Sequence, residues 1–337
     1  MEVDPMVSEG AGSLVANMRQ AVRTSGLIGE ESIILMLSGG RDSVCLLDVL
    51  LSLREPRALQ ALHVNYRLRP DAEEDEQHCR ALCERFGVQL HVVHPEDPKL
   101  GTGNIQAWAR KVRYQAAHAL ASEFQGALLA TAHTASDQVE TILYRLAASP
   151  GRRALLGMRE REGDLVRPLL RFTREQTTAY CETRDLVWRD DPSNEGDIYV
   201  RGRLRHGLLV QLRSLHPAAE ANVLRTAELL REETELLDAL VEAELDGQDS
   251  ISTQRLSELQ PALARLIVVR LAEDAAGTFV PQAGARVGEI LTLARSGARA
   301  ELHVGGLVSA VVQSGQLRMY KIEPHYPSPK GERSQPS

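Results

Sequence analysis

The chain has 337 residues, of which 43% are hydrophobic and 25% charged, ordinary values for a globular protein. They exclude a disordered, collagen-like or fibrous chain, and no stretch reaches the roughly 18 uncharged apolar residues of a membrane helix. The net charge of −7 excludes a protein that binds nucleic acid through its overall charge. The start of the chain is acidic and lacks the layout of a signal peptide, which predicts a cytoplasmic protein with no membrane partner.

Short apolar runs alternate with segments of helical periodicity in the first part of the chain. The predicted strands are 32–37, 59–65, 88–94 and 127–132, and the predicted helices are 43–53, 71–86, 104–124 and 136–147. This alternation predicts an α/β fold of Rossmann type, a parallel sheet with helices on both faces. Ligands bind such sheets at the carboxyl ends of the strands. We therefore expect Ser38–Ser43, His63–Arg69 and His133–Asp137, which follow three of the strands, to converge.

The pattern changes after residue 151. We predict a short edge element at 165–170, helices at 173–184, 204–246 and 255–295, and two short strands within 302–322. The predicted organisation is a leader and helix at 1–30, a catalytic domain at 31–215, a smaller, mostly helical domain at 216–323 and a disordered tail at 324–337.

Charge is unevenly distributed along the chain. Residues 145–205 contain 13 Arg and no Lys against 10 acidic residues, a net charge of +3. Residues 220–274 contain 5 Arg against 13 acidic residues, a net charge of −8. An arginine-rich middle followed by an acidic segment indicates two units with different partners.

The four cysteines are too few for a disulfide framework, and no CxxC pair is present. Cys79 and Cys83 share one face of a predicted helix, where packing is their expected role because a free cysteine behaves as a small hydrophobic residue. A zinc or iron–sulfur site would need further ligands.

The segment Ser38-Gly-Gly-Arg-Asp-Ser43 lies between a predicted buried strand and an apolar helix. Its glycines let the backbone expose successive N–H groups, and the helix that follows contributes the positive end of its dipole. The two serines can donate hydrogen bonds to phosphate oxygens, and Asp42 can hold a Mg²⁺ that bridges to phosphate. The segment lacks the spacing and the lysine of a Walker A loop. It therefore predicts a phosphate-binding loop of another kind.

This segment resembles the SGGxDS signature of the PP-loop ATP pyrophosphatases. Further stretches resemble, in order, the tRNA(Ile)-lysidine synthase family of that superfamily: His63–Arg69, Asn104–Tyr114, Thr131–Thr141, Arg167–Leu170, Asp191–Asn194 and Tyr199–Arg205. The resemblance covers about residues 30–215 and extends more weakly to about residue 322, which implies that the mostly helical domain at 216–323 binds tRNA. Tyr66 and Arg67 replace the usual His-Gly, Gly202 replaces the usual Asn, and the length is that of the shorter family members.

The resemblance implies an ATP-dependent ligase that uses Mg²⁺. ATP adenylates the C2 carbonyl oxygen of the wobble cytidine in a tRNA(Ile) with a CAU anticodon. Free L-lysine then attacks C2 through its ε-amine, AMP leaves, and pyrophosphate is the other product. The modified base, lysidine, pairs with A, so that the codon read changes from AUG to AUA. The oligomeric state stays open, with a homodimer as one alternative.

Site residues follow from the residue patterns and from the resemblance together. Asp42 and Asp137 are predicted to share the Mg²⁺ and, with Arg113, to be catalytic. The predicted ATP contacts are Ser38, Gly39, Gly40, Arg41, Asp42, Ser43, His63, Asn65 and His133. The predicted lysine and cytidine contacts are Arg110, Arg113, Asp137 and Glu140, in which Arg110 with Arg113 and Asp137 with Glu140 are helical neighbours three residues apart. The predicted tRNA phosphate contacts are Arg145, Arg152, Arg153, Arg201, Arg203 and Arg205.

Three other classes of protein compete with this interpretation. Another PP-loop enzyme, such as a tRNA thiolase, would use the same loop, although thiolases that resemble the cytidine thiolase carry CxxC pairs. A PP-loop amidotransferase would need a glutaminase domain, and no segment with a nucleophilic cysteine stands out. A non-catalytic tRNA-binding protein would not need the intact Ser38–Ser43 loop. Cleavage of ATP to pyrophosphate separates the enzymes from the binding protein.

Overall fold

The computed structural model of the chain describes residues 5–96, 105–124, 126–148, 151–189, 200–278, 280–296 and 299–322. The Asp191–Asn194 segment and the tail predicted at 324–337 lie outside these residues. The chain forms two compact units, which divide between Leu230 and Arg231. This division falls inside a helix, Ala219–Leu245, whereas the boundary predicted at 215 coincides with the end of the preceding helix.

Unit 1 is built on a six-stranded sheet. Its strands are β1 Ile33–Met36, β2 Leu59–Val64, β3 Gln89–Val93, β4 Leu128–Ala130, β5 Arg161–Glu162 and β6 Leu165–Val166. They lie in the order β3-β2-β1-β4-β6-β5, and all neighbours are parallel except β5 and β6. The predicted parallel α/β fold is confirmed. The predicted edge position of 165–170 is wrong, because the short hairpin partner β5 extends the sheet beyond β6.

The helices of unit 1 cover both faces of this sheet. They are α1 Pro5–Thr24, α2 Arg41–Leu51, α3 Ala72–Phe86, α4 Ile105–Glu123, α5 Ala135–Ala148, α6 Arg152–Leu155, α7 Arg174–Thr183, α8 Val200–Arg203 and α9 Leu209–Leu215, followed by α10 Ala219–Leu245, which continues into unit 2. A π-helical turn, Leu204–Leu208, joins α8 to α9. Within the described residues, no helix is both long and apolar enough to cross a membrane.

Strand β1 shows why this sheet is buried on both faces. Ile33 and Leu35 pack in a core with residues of α1, α2, α3 and α7, whereas Ile34 and Met36 pack in a second core with residues of α4. Successive side chains of a strand point to opposite faces, so a strand between two helical layers reads as a continuous apolar run. All four side chains are buried, as that run predicts.

The sheet topology places the three segments that were predicted to bind ligands at the carboxyl ends of neighbouring strands. Strand β1 lies between β2 and β4, so the chain leaves β1 toward one side of the sheet and returns at β4 on the other. The crevice beyond the carboxyl ends at such a switch point is the usual ligand site of an open α/β sheet. The segments that start at Ser38, Asn65 and Thr131 follow β1, β2 and β4 there.

Unit 2 has its own core and its own small sheet. After the end of α10 it contains β7 Ser250–Ser252, α11 Thr253–Glu258, α12 Pro261–Ala276, α13 Pro281–Ser296, β8 Ala300–Gly305, β9 Val308–Gln313 and β10 Gln316–Lys321. The four strands form an antiparallel sheet in the order β7-β10-β9-β8. The prediction of two strands within 302–322 is wrong. Gly306 and Gly315, both with positive φ, each close a separate hairpin, which makes three strands of this stretch.

Candidate active site

The loop from Ser38 to Ser43 joins β1 to α2 and is organised by its own hydroxyl groups. The Ser38 hydroxyl donates to the Ser43 hydroxyl at 3.1 Å and accepts from the Gly40 N–H at 3.3 Å. The Ser43 hydroxyl donates to the Gly40 carbonyl at 2.8 Å. Helix α2 starts at Arg41, and the N–H groups of its first turn have no carbonyl partner within the helix. The loop therefore directs backbone donors and a helix N-terminus at one place, as an anion site requires.

Gly39 is required where the loop turns against α3. Its φ is +83°, and a Cβ atom built there would lie 3.1 Å from the Cys79 Sγ and 3.3 Å from the His78 Cδ2. A left-handed φ is costly for residues that carry a Cβ atom. The backbone of the loop is also held by the Arg189 N–H, which donates to the Gly39 carbonyl at 3.0 Å.

Asp42 stands in the first turn of α2, and α7 holds one of its oxygens. The Thr177 hydroxyl donates to Asp42 Oδ1 at 2.5 Å, and Arg41 Nε donates to the same oxygen at 3.2 Å. Asp42 Oδ2 faces Arg174, whose Nε lies 4.0 Å away. Nothing in the sequence around Thr177 marked it as part of the site, because it lies 135 residues from Asp42 along the chain.

Asp137 lies in the first turn of α5, after β4, and is held in the same way. Its Oδ2 accepts from the Thr134 N–H and the Thr134 hydroxyl, both at 2.8 Å, and its Oδ1 accepts from Arg174 Nη2 at 3.2 Å. Burial alone would raise the pKa of Asp137, but the Arg174 cation and the hydrogen bonds from Thr134 outweigh it and lower the pKa below its usual value. Asp137 is therefore a carboxylate at neutral pH.

Arg174 connects the acidic residues of the site, and the sequence did not single it out. It is the first residue of α7, and its guanidinium lies 3.2 Å from Asp137, 3.7 Å from Glu140 and 4.0 Å from Asp42. Because all three carboxylates lie within 4.0 Å of one guanidinium group, they also lie close to one another. The signal in the sequence is weak, because an arginine after a capping threonine is an ordinary helix start.

Asp42 and Asp137 fit a Mg²⁺ ion. Each carboxylate has one oxygen held by a hydroxyl group and one oxygen turned toward Arg174. Magnesium is commonly bound through one or two carboxylates, with phosphate oxygens and water completing the octahedron. Across the described residues, no set of three or more His, Cys, Asp and Glu side chains could form a complete metal site, so this pair would share its ion with a phosphate ligand.

Glu140 is the third carboxylate, and it is buried, with 2% of its surface exposed. Arg205 Nε donates to its Oε1 at 2.8 Å. Its Oε2 has no hydrogen-bond partner among the described residues, although buried polar atoms are nearly always paired. The site thus contains an acceptor oxygen that is withdrawn from water and has no partner among the described residues.

Arg205, predicted as a tRNA phosphate contact, points inward instead. It lies in the π-helical turn Leu204–Leu208, which packs against α5, and its guanidinium is paired with Glu140. An extra residue in a helical turn rotates the side chains that precede it relative to the helix that follows, and such turns are frequent at functional sites. The physical reason for the difference is therefore the π turn, which no sequence pattern revealed.

His63 and Asn65, predicted as ATP contacts, hold the loop after β2. His63 is buried, and its Nδ1 lies 3.0 Å from the Leu37 carbonyl; burial lowers the pKa of His63 and keeps the ring neutral. Asn65 donates to Glu76 Oε2 at 3.0 Å and accepts from the Arg67 N–H at 3.0 Å. Through these contacts both residues support the backbone beside the phosphate loop.

The helix α4 carries Arg110 and Arg113 on an exposed surface. Arg113 Nε donates to the Tyr66 hydroxyl at 3.2 Å, and Tyr66 also donates to the Ala109 carbonyl at 2.9 Å. The guanidinium of Arg110 lies over the ring of Tyr114, 4.6 Å from its centroid. Within the described residues neither arginine has an acidic partner, so both keep an uncompensated charge next to the loop after β2.

His133 and the predicted tRNA-binding arginines occupy different surroundings. His133 Nδ1 lies 2.9 Å from the Thr131 hydroxyl at the end of β4. Arg145 donates to the Gly157 carbonyl at 2.6 Å, and the Arg152 Nη1 is buried without a partner among the described residues. Arg153 and Arg203 are exposed, and the side chain of Arg201 lies outside the described part of the structure.

All four cysteines are buried and free. Cys79 and Cys83 pack in the core between α3 and the sheet, as predicted, and burial raises the pKa of the Cys83 thiol to about 11. Thiols that stay protonated are poor metal ligands and poor nucleophiles.

Comparisons with known proteins agree with this geometry. The model of a family described as the PP-loop domain matches residues 13–212. The tRNA(Ile)-lysidine synthase of Thermus thermophilus is 37% identical over 222 residues, 65% of this chain and 43% of that enzyme. The corresponding enzyme of Nostoc is 35% identical over 235 residues, 67% of each chain, and that of Chromobacterium violaceum is 36% identical over 262 residues, 74% of this chain and 58% of that enzyme.

These matches span 43% to 67% of the relatives' own length. Among solved structures, a U34-tRNA thiolase from Methanococcus maripaludis with its [4Fe-4S] cluster superposes with a TM-score of 0.54. That match covers 66% of this chain and 80% of the thiolase at 18% identity. A likeness at this identity shows a shared fold and no more.

Proposed function

Because this chain belongs to the PP-loop family and, within it, to the tRNA(Ile)-lysidine synthases, we propose that it ligates free L-lysine to the wobble cytidine of tRNA(Ile) with a CAU anticodon. The reaction takes place in the cytoplasm, consumes ATP and changes the codon read from AUG to AUA. The observation that carries the proposal is that three carboxylates lie around the Arg174 guanidinium, beside the Ser38–Ser43 loop. They belong to Asp42, Asp137 and Glu140.

The first step is the adenylation of the cytidine. The C2 carbonyl oxygen attacks the α-phosphorus of ATP, a P–O bond forms, and the bond to pyrophosphate breaks. The Ser38–Ser43 loop and the N-terminus of α2 hold phosphate oxygens through N–H and O–H donors. When bound by Asp42 and Asp137, Mg²⁺ supplies charge neutralisation for the leaving pyrophosphate.

The second step is the attack of lysine. The ε-amine forms a bond to C2, the C2–O bond breaks, and AMP leaves with that oxygen, while the protons lost by the nitrogen pass to the Asp137–Glu140 carboxylate pair. Asp137, an anion because its pKa is lowered, and the buried Oε2 of Glu140 form an acceptor pair for the ammonium group. Holding the amine beside C2 supplies the proximity that an uncatalysed ligation lacks.

We assign recognition of the tRNA to arginines of unit 1, of which Arg110, Arg113, Arg153 and Arg203 are exposed. Arg110 and Arg113 are placed to contact the activated cytidine or its phosphate, and Arg145, Arg152, Arg153 and Arg203 to contact the tRNA backbone. The target base would leave its stack in the single-stranded anticodon loop to reach the crevice.

The test is incorporation of radiolabelled lysine into unmodified tRNA(Ile) with a CAU anticodon, in the presence of ATP and Mg²⁺. Elongator methionine tRNA is the RNA control, Asp42→Ala is the inactive variant, and the exposed Glu182→Ala is the matched acidic control. We expect ATP-dependent label in the isoleucine tRNA alone, lost in Asp42→Ala and kept in Glu182→Ala.

Two other outcomes would contradict the proposal. Formation of AMP and pyrophosphate without lysine incorporation would keep the PP-loop chemistry and assign another nucleophile, an amine or sulfur. Absence of ATP cleavage with retained tRNA binding would identify a non-catalytic tRNA-binding protein.

A further inference from the structure

The charges around the site are balanced before any ligand binds. Asp42, Asp137 and Glu140 contribute three negative charges within reach of Arg174. Two further guanidinium groups face the same carboxylates, Arg41 on Asp42 and Arg205 on Glu140. A divalent cation that joins this cluster without a phosphate ligand leaves an excess of two positive charges, which the departure of one guanidinium group reduces to one.

Of the three guanidinium groups, Arg174 is the one that faces all three carboxylates, and it is held less tightly than Arg205. Its one hydrogen bond within the cluster is the 3.2 Å contact to Asp137, and its contacts with Glu140 and Asp42 are longer, at 3.7 and 4.0 Å. Arg205, in contrast, is bound to buried Glu140 at 2.8 Å. The side chain of Arg174 is 22% exposed, so it has a path to solvent.

The backbone of Arg174 is fixed, so that only the side chain has to move. Thr173 caps α7 with a complete capping box, and the Arg174 N–H donates to the Ser136 hydroxyl at 3.1 Å. An arginine side chain has many rotamers, and a change among them leaves the helix in place.

Withdrawal of Arg174 would free defined ligand atoms. Asp42 Oδ1 stays held by the Thr177 hydroxyl, and Asp137 Oδ2 stays held by Thr134. The oxygens that Arg174 faces, Asp42 Oδ2 and Asp137 Oδ1, are then the two that point to a common centre. The hydroxyl groups of Thr177 and Thr134, together with Arg41 on Asp42 Oδ1, thus keep the carboxylates in position for a cation.

We infer that Arg174 is an exchangeable counter-cation: it neutralises the three carboxylates and competes with the divalent cation and the alkylammonium group that bind there. It thereby lowers the affinity for either cation alone. The inference rests on the proposed function for the identity of the ammonium ligand, but competition with the divalent cation concerns this chain's own residues and requires neither lysine nor tRNA.

The experiment measures Mn²⁺ binding to the full chain, without ATP, lysine or tRNA, by counting free Mn²⁺ with electron paramagnetic resonance. The variants are Arg174→Met and, as a matched loss of charge on an exposed residue of unit 1, Arg171→Met. We expect Arg174→Met to bind Mn²⁺ on the order of tenfold more tightly than the wild type, because a unit charge about 4 Å from the ligands is removed. We expect Arg171→Met to stay within about twofold of the wild type, since exposed charges are screened.

Two further variants assign the effect to this site. Asp42→Asn in the Arg174→Met background should abolish the gain in affinity, because it removes one of the two ligand carboxylates. Arg174→Lys keeps the positive charge and is the control for a folding defect in Arg174→Met. It should bind Mn²⁺ with an affinity within about threefold of that of the wild type.

Thermal unfolding gives a second readout. Without metal, Arg174→Met should melt below the wild type, and Mg²⁺ should raise its melting temperature more than that of the wild type. Equal or weaker Mn²⁺ binding by Arg174→Met, or a melting deficit that Mg²⁺ leaves unchanged, would overturn the inference and make Arg174 a purely structural residue. Neither result would bear on the proposed function, because lysine incorporation by the wild-type protein tests that function separately.

Discussion

Glu76 is a buried carboxylate of α3 that supports the loop after β2. It accepts from Asn65 at 3.0 Å and from Arg80 at 2.7 Å, and His94 Nε2 lies 2.7 Å away. Burial would raise the pKa of Glu76, but these three partners outweigh it and lower the pKa from 4.5 to about 2. A folded-state pKa below the unfolded value means that the ionised carboxylate stabilises the fold above about pH 4.5.

We therefore predict a pH-dependent effect of Glu76→Gln. At pH 7 the variant should lose about 2 kcal/mol of unfolding free energy, the scale of a hydrogen-bonded charged group. The difference from the wild type should shrink as the pH falls from 4.5 toward 2, because the wild-type carboxylate then becomes protonated. Urea unfolding of both proteins at several pH values measures this. A difference that does not depend on pH would show that the charge of Glu76 is not the stabilising feature.

Arg67 occupies a backbone conformation that favours glycine, the residue usual at this position in the resembled family. Its φ is +53°, its side chain is exposed, and its N–H donates to Asn65. We predict that Arg67→Gly raises the unfolding free energy by about 1 kcal/mol, because the left-handed conformation costs a residue with a Cβ atom about that much. Arg67→Ala keeps the Cβ atom and should give no such gain. Equal stability of the two variants in urea would exclude backbone strain as the cause.

At the scale of elements, a buried polar cluster joins α1, α2 and α7. Asp48 of α2 accepts from Arg19 at 2.7 Å, from the Tyr180 hydroxyl at 2.7 Å and from Arg184 at 3.2 Å. Burial would raise the pKa of Asp48, but these hydrogen bonds lower it, and it stays ionised. The cluster fixes α7 against α2, and these two helices carry Arg174 and Asp42 into the site.

Tyr180→Phe tests this junction. The change keeps the ring, which is fully buried, and removes the hydroxyl that donates to Asp48 and accepts from Arg19 at 2.9 Å. We predict a loss of about 2 kcal/mol in unfolding free energy, because a buried charge loses a hydrogen bond. Tyr144→Phe, at an exposed position, should change stability by less than about 0.5 kcal/mol. Equal effects of the two changes would mean that the Asp48 cluster does not secure α7.

At the scale of the whole molecule, each unit has a separate apolar core. The core of unit 2 contains residues of α12, α13 and the antiparallel sheet, and Ile267 is fully buried within it. The cores of unit 1 lie on the two faces of the parallel sheet. Separate cores permit separate unfolding transitions.

We predict that Ile267→Ala destabilises unit 2 by about 3 kcal/mol, the cost of a cavity in a packed core. Amide hydrogen exchange should show faster exchange in 231–322 and unchanged exchange in the strands of unit 1. Binding of ATP should persist, because the Ser38–Ser43 loop belongs to unit 1. Faster exchange throughout both units would show that the chain unfolds as one cooperative body.

The sequence by itself determined the parallel sheet, the phosphate loop and the acidic residues that follow β1 and β4. Apolar periodicity is a local property of the chain. The Gly-Gly turn between a buried strand and a helix is also recognised from neighbouring residues alone. Local periodicity predicted two strands within 302–322, whereas the structure has three strands joined by two short hairpins.

Only the tertiary structure decided which side chains complete the site. Thr177 meets Asp42 across 135 residues, Arg205 meets Glu140 across 65, and Arg174 meets Asp137 across 37. Such pairs depend on strand order and on a π-helical turn that rotates Arg205 inward, and neither has a local signature in the sequence. The physical reason is that an isolated arginine or threonine carries no information about its partner until the packing of α5 and α7 brings the two together.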